Sequence, residues 1–297
     1  GQPVLKGSLV ALVTPFDDHN RVDYAALKRL IDFHVAEGSD GLVVAGTTGE
    51  SATLATDEHI ELITRAVELA DGRLPIIAGT GSNSTAQTVD LSVAVGDTGI
   101  FGYLVVVPYY NKPVQEGMFR HFTAVADAVD KPVMLYNVPG RTASDLLPET
   151  VARLAEHENI WAIKEATGDI DRLRDIQAVV PADFGLFSGD DFTVLPFVEQ
   201  GGHGVVTVSG NVIPAQMAEL CRLASAEEHD AAKAIDDRLQ PLNTALFLES
   251  NPIPVKWAVC QMGLISPHIR LPLTEFSAQY HDQMRAAMSG AGVETGT

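Results

Sequence analysis

Eight short apolar runs, each bounded by turn residues and separated from the next by a stretch of helical spacing, constrain the fold of this chain most. They are SLVALVT (8–14), GLVVAGT (41–47), LPIIAGT (74–80), YLVVVPYY (103–110), PVMLYNV (132–138), IWAIKEA (160–166), DFGLFSGDD (183–191) and HGVVTVSG (203–210). A run that is apolar at every position suits a strand covered on both faces, and intervening helices supply the covers. Segments such as DYAALKRLIDFHVAEG (23–38) and TDEHIELITRAVELADG (56–72) have that helical spacing, with an Asp or Thr as the expected cap and Gly at the close. Strand and helix in alternation imply a parallel sheet with right-handed crossovers, and eight such units indicate a (β/α)8 TIM barrel. A doubly wound sheet also alternates, but it normally has fewer strands and often a glycine fingerprint after the first; here TPFDDHN follows instead. The barrel is expected over residues 1–225, and 226–297, which has helical spacing without strands, as a C-terminal helical appendage whose apolar positions are read as packing surface.

With 297 residues the chain can bury roughly three quarters of its unfolded surface, so a large core needs no disulfide or structural metal. Acidic residues outnumber basic ones 39 to 20, for a formal net charge of −19, and no basic stretch exceeds two residues. Duplex nucleic acid and anionic membrane are expected to be repelled overall and are not expected as partners, because phosphate neutralisation needs clustered cations. An anionic substrate therefore needs local cations or amides to hold it. The acidic excess fits either solubility or a high-salt environment. Cys221 and Cys260 fall in helical segments outside any CxxC or Cys/His spacing and are expected as buried thiols in a reducing compartment. The opening GQPVLKGSLVALVTP has neither a charged n-region nor a small-residue cleavage site, and no window reaches the ~18 apolar residues of a membrane span. The expectation is a soluble, cytoplasmic protein without a metal.

In a barrel the chemistry sits at the carboxyl ends of the strands. Those ends present Thr47 and Thr48 in GTTGES, Tyr109 and Tyr110 in PYYNKP, Tyr136, Asn137 and Arg141 in LYNVPGRT, Lys164 in AIKEATGD, Gly189 and Asp190, and Val206 and Ser209. One lysine, several hydroxyls and one arginine, without a neighbouring His, a Cys nucleophile or a carboxylate cluster, suit imine chemistry. A lysine attacks a ketone only as the neutral amine, and bringing such an amine from about 10.4 toward 7 or 8 takes roughly 4 kcal/mol of environment. Tyr and Thr hydroxyls can both donate and accept the protons that carbinolamine and imine formation move. The glycine-flanked GTTGE turn offers backbone amides to a carboxylate, and a 2-oxo acid carries one beside its ketone. Each feature also has an ordinary reading: a strand-end lysine that snorkels, a plain turn, packing tyrosines, an Arg141 paired with Asp145 or Glu149, and His59 solvated on an amphipathic helix.

Taken together and in order, GTTGESATL, GTGSNSTAQTV, PYYNKPVQEGMFRHF, LYNVPGRT, IKEATGD, SGDD, GGHGVVTV and NPIPVKWA resemble the dihydrodipicolinate synthases, from about residue 6 to 275. The resemblance implies a class I aldolase-type barrel that condenses pyruvate with L-aspartate 4-semialdehyde to 4-hydroxy-tetrahydrodipicolinate, the committed step of diaminopimelate and lysine synthesis. It implies no cofactor beyond a covalent imine on Lys164, with Tyr136 as proton carrier joined by Thr47 and Tyr110 in a hydroxyl relay. Thr48 would hold the pyruvate carboxylate, Gly189 and Val206 would line the pocket, and Arg141 would take the carboxylate of the semialdehyde. The resemblance further implies a homotetramer, a dimer of tight dimers in which Tyr110 completes the neighbour's relay. Ser51, Ala52, His59, Asn83 and Tyr109 match an effector site for lysine, joined at that site by Gln87. Thr56 and Gln87 stand where lysine-sensitive members often carry His and Glu, and a neutral Gln gives an ammonium no balancing charge; weak or absent inhibition is expected. Related pyruvate aldolases acting on sugar acids generally lack the arginine of NVPGRT, and a barrel kept only for binding would be expected to lose some of its reactive groups.

Overall fold

A computed structural model describes residues 3–295. Its centre is a closed barrel of eight parallel strands in sequence order, sealed where β1 (Gly7–Ala11) pairs with β8 (Gly204–Thr207). Between them lie β2 (Gly41–Val44), β3 (Ile76–Gly79), β4 (Gly102–Val106), β5 (Val133–Asn137), β6 (Ile160–Glu165) and β7 (Gly185–Ser188). The covering helices are α1 (Tyr24–Glu37), α2 (Thr56–Ala70), α3 (Thr85–Ala94), α4 (Gln115–Ala128), the short α5 (Pro139–Thr142), α6 (Pro148–Ala155), α7 (Ile170–Gln177), α8 (Val194–Glu199) and α9 (Pro214–Ser225). After them come α10 (His229–Ala245), which packs on α9 and α12, then α11 (Ile253–Gln261) and α12 (His281–Gly290).

The strands' two-residue period divides the core in two. Leu9, Val43, Ile77, Leu104, Met134, Ala162, Phe187 and Val206 fill the barrel interior. Val10, Leu42, Ile76, Val105, Leu135, Ile163, Leu186 and Val205 alternate with them and pack under the helices. This is why the runs carry no polar gaps: both faces of every strand are buried. At the β1–β8 seam a Cβ on Gly204 would sit 2.0 Å from the Gly7 carbonyl oxygen, so closure there requires a residue without a side chain.

The strands are shorter than the apolar runs, because the last residues of each run leave the ladder to build the mouth. Tyr109 and Tyr110 thus lie in the loop beyond β4, and Asp190 and Asp191 beyond β7. The α1 caps are as expected: Asp23 accepts from the Ala26 amide and Gly38 closes in the left-handed region. In α2, by contrast, the cap position is Ala55 with no side-chain bond, Thr56 is already helical, and Asp71 at φ 50° closes the helix ahead of Gly72. Cys221 is buried, but Cys260, expected as a buried thiol, is only half-buried and packs against the edge of the core from α11.

Candidate active site

Lys164 is the inward residue one step from the end of β6, where a lysine interrupts an otherwise apolar interior. The same alternation that sends Ile163 and Glu165 outward sends Lys164 in, and the parallel register sets it beside Tyr136 of β5 and Phe187 of β7. Lys164 is 7 % exposed, with Nζ 3.9 Å from the centroid of the Tyr136 ring. Snorkelling to solvent is thereby excluded. Among the described residues no carboxylate pairs with this amine. Gly189 makes room for it: a Cβ there would lie 3.0 Å from Lys164 Cε and 2.7 Å from Ala166 Cβ. Val206 is buried on the neighbouring interior wall.

Glu165 and Asn137, the outward residues of the same two strand ends, form a buried layer behind Lys164 and Tyr136. Asn137 Nδ2 donates to both Glu165 oxygens (3.2 and 3.3 Å) and to Asp145 Oδ1 (2.9 Å), and Asp145 takes two bonds from Arg172 (2.7 and 2.8 Å). Burial pushes the Glu165 carboxyl up to about 7, against the pull of Asn137 and the Arg172 charge. The Arg172 guanidinium holds Asp145 below the usual carboxylate range.

The GTTGES turn folds on itself: Gly49 and Ser51 donate to the Gly46 carbonyl, Glu50 donates to that of Thr47, and Thr14 Oγ1 ties down the Gly49 carbonyl. The amides of Thr47 and Thr48 find no protein acceptor among the described residues. Thr48 is buried, and buried amides of this kind are rare unless something binds them. The turn therefore has donors to spare for an anion.

Arg141, on the short α5 after β5, is exposed; its Nη2 donates to the Asn251 carbonyl at 3.2 Å, which leaves most of the guanidinium fork free. It pairs with neither Asp145 nor Glu149. Tyr110 is 86 % exposed and stands outside the interior that holds Lys164 and Tyr136. Its φ of +76° and the hydrogen bond from Asn111 N–H to the Tyr109 carbonyl place it at the centre of the strained form of the γ-turn.

A cavity of about 590 Å³ has Thr47, Val138, Arg141, His59, Gln87 and Asp90 in its lining; Ser51, Ala52, Thr56 and Tyr109 also line it. Lys164 and Tyr136 lie outside its lining, and so does Asn83, whose carbonyl accepts from Asn111 Nδ2. His59 corrects the expectation of a solvated helix residue. It is buried, with Nε2 2.7 Å from the Gly79 carbonyl oxygen; burial lowers its pKa and that carbonyl opposes the shift. No group of three metal-ligating side chains gathers among the described residues, and no helix there is long and apolar enough to cross a membrane.

Sequence reasoning missed Asn251, whose Nδ2 donates to Thr48 Oγ1 at 2.9 Å, and the buried Lys256–Glu50 pair at 2.6 Å. A lysine inside the apolar stretch NPIPVKWAV was the available signal.

Known proteins resemble this chain over nearly its whole length. The model of the Dihydrodipicolinate synthetase family matches residues 4–291. A 4-hydroxy-tetrahydrodipicolinate synthase of Pseudoalteromonas atlantica is 53% identical over 288 residues, covering 97% of this chain and 98% of the relative. The crystal structure of a chloride-inhibited dihydrodipicolinate synthase from Acinetobacter baumannii, complexed with pyruvate, superposes with a TM-score of 0.96 at 44% identity, over 98% of this chain and 100% of that one. A structure described as the first monomeric dihydrodipicolinate synthase variant gives 0.95 at 39% identity, over 98% of each chain.

Proposed function

The chain belongs to the dihydrodipicolinate synthetase family, and on that premise we propose how its own residues carry the reaction. The enzyme condenses pyruvate with L-aspartate 4-semialdehyde in the route to diaminopimelate and lysine. The observation that carries the mechanism is the buried, carboxylate-free Lys164 amine against the Tyr136 ring.

Lys164 Nζ adds to the ketone carbon of pyruvate, whose carboxylate lies on the unclaimed amides of Thr47 and Thr48 and on the Thr48 hydroxyl. The carbinolamine loses its hydroxyl as water once that oxygen is protonated, and Tyr136, with Thr47, is the hydroxyl pair that delivers the proton. The imine acidifies the adjacent methyl group. Its loss of a proton gives an enamine whose carbon attacks the aldehyde of the second substrate. The free guanidinium fork of Arg141 receives that substrate's carboxylate bidentately. Attack by the substrate's amino group on the imine carbon then closes the ring and returns Lys164 as a free amine. The steps make and break C–N, C–C, C–O, N–H and O–H bonds with no net oxidation or reduction, so the residues named suffice without a cofactor.

The exposed, strained Tyr110 fits a role outside its own chain: its phenol completes the relay of a neighbouring subunit in a homotetramer. Two cysteines outside any disulfide suit a reducing, cytoplasmic setting. Turnover of the two substrates by purified protein tests this reading. Lys164→Arg should abolish most turnover, since a guanidinium stays protonated and cannot add to a ketone; an active Lys164→Arg enzyme would refute it.

A further inference from the structure

The anion-receiving turn is gripped from behind by the C-terminal helical region. Asn251, just ahead of α11, is 7 % exposed; its Nδ2 reaches Thr48 Oγ1 and its backbone carbonyl accepts from Arg141 Nη2. A single residue therefore touches both side chains assigned to the two substrate carboxylates. From α11, Lys256 Nζ donates to Glu50 Oε2, both side chains 2 % exposed, and the Arg270 amide donates to Glu50 Oε1 at 3.0 Å. Lys256 also donates to the His268 carbonyl at 2.8 Å and lies 4.4 Å from the centroid of the Phe16 ring, over which Arg270 sits as well.

Two features argue that this grip does more than pack. Glu50 closes the GTTGE turn at φ +60°, a conformation that persists in a non-glycine residue only when its surroundings hold it. Stability alone does not call for a buried Lys–Glu pair either, since apolar residues of similar volume often serve as well or better. The bond from Asn251 has a directional consequence. With an Oγ1 lone pair engaged by an amide donor, the Thr48 hydroxyl hydrogen is left to point elsewhere, toward an anion on the turn.

We propose that Asn251, backed by the Lys256–Glu50 pair, is a positioning residue that sets Thr48 and Arg141 as a matched pair of carboxylate receivers, so that the C-terminal region acts in substrate binding. This rests on the reading of Thr48 and Arg141 given above. Asn251→Asp keeps the size and removes the donor, and its carboxylate would take the Thr48 hydroxyl hydrogen for itself; Asn251→Ala removes the contact. The measurements are borohydride trapping of Lys164 against pyruvate concentration, initial rates with the semialdehyde varied, and thermal unfolding. For Asn251→Asp, half-saturating pyruvate should rise by at least about tenfold, the loss expected for a hydrogen bond to a charged group, whereas the KM for semialdehyde should rise less, because Arg141 keeps its bond to the residue 251 backbone carbonyl. Asn251→Ala should shift half-saturating pyruvate in the same direction, with kcat falling less than kcat/KM. Half-saturating pyruvate within about twofold of wild type, or a fall in kcat alone, would overturn the proposal. If Asn251→Asp does not fold, Glu50→Gln combined with Lys256→Met leaves no buried charge and loosens the turn by another route; unchanged half-saturation there would also overturn it. Wild-type protein that pyruvate fails to saturate would overturn the underlying site assignment instead, which separates the two failures.

Discussion

Replacing Gly189 by alanine tests whether Lys164 is held where its chemistry needs it. The added Cβ would stand 2.7 Å from Ala166 Cβ and 3.0 and 3.2 Å from Lys164 Cε and Cγ, whereas carbon atoms rest about 3.5–4.0 Å apart. Relief by moving the strand end is opposed by the 2.8 Å hydrogen bond from Gly189 N–H to the Glu165 carbonyl and by the Asn137–Glu165 layer behind it. The lysine side chain is the softer element, so it yields by something near 1 Å. Overpacking of this kind costs about 1–3 kcal/mol, which in a chain of this size lowers Tm by roughly 2–10 °C. Misplacing a reacting group by ~1 Å can cost about a hundredfold in rate. Gly189→Ala should therefore fold, lose a few degrees of Tm, and fall about a hundredfold in kcat/KM and in the rate of borohydride trapping by pyruvate. Trapping within about threefold of wild type would show that the amine does not depend on the space at residue 189.

Three further outcomes follow from other parts of the structure. Because the Glu165 pKa is raised from 4.5 to about 7, the folded state binds that proton more tightly than the unfolded chain; the stability gained is full below about pH 4.5 and is lost as pH rises through 7. Glu165→Gln should then be up to about 3 kcal/mol more stable than wild type at pH 8 in urea unfolding, and no gain above pH 7 would contradict the assignment. Lysine should inhibit weakly or not at all, because Thr56 and Gln87 put no charge of their own into the cavity that they share with His59; a submillimolar inhibition constant would overturn this. If Tyr110 serves a neighbouring chain, activity per chain should fall on dilution while the unfolding transition persists, and a fully active monomer would refute that role.

The barrel was legible because its signal is redundant: strands buried on both faces leave apolar runs whatever the loops do, and Asp23 and Gly38 mark a helix by their own backbone chemistry. Lys164 could be read from sequence because a charge in an interior position is conspicuous, and Tyr136 because parallel register sets it alongside. The failures share one cause. His59 was read from its own helix and is buried by a carbonyl of β3, Tyr110 was assigned to the strand before it and stands in solvent on a strained loop, and Asn251 meets Thr48 across 203 positions of sequence. Local pattern reports what a residue's own element requires. It does not report which distant element will lie against it.

The account stands most directly on borohydride reduction of the enzyme in the presence of pyruvate, followed by mass analysis of the peptide that contains Lys164. A reduced pyruvyl adduct on Lys164, absent without pyruvate or without borohydride, is the predicted result. An unmodified Lys164 peptide from enzyme that still turns over both substrates would contradict it.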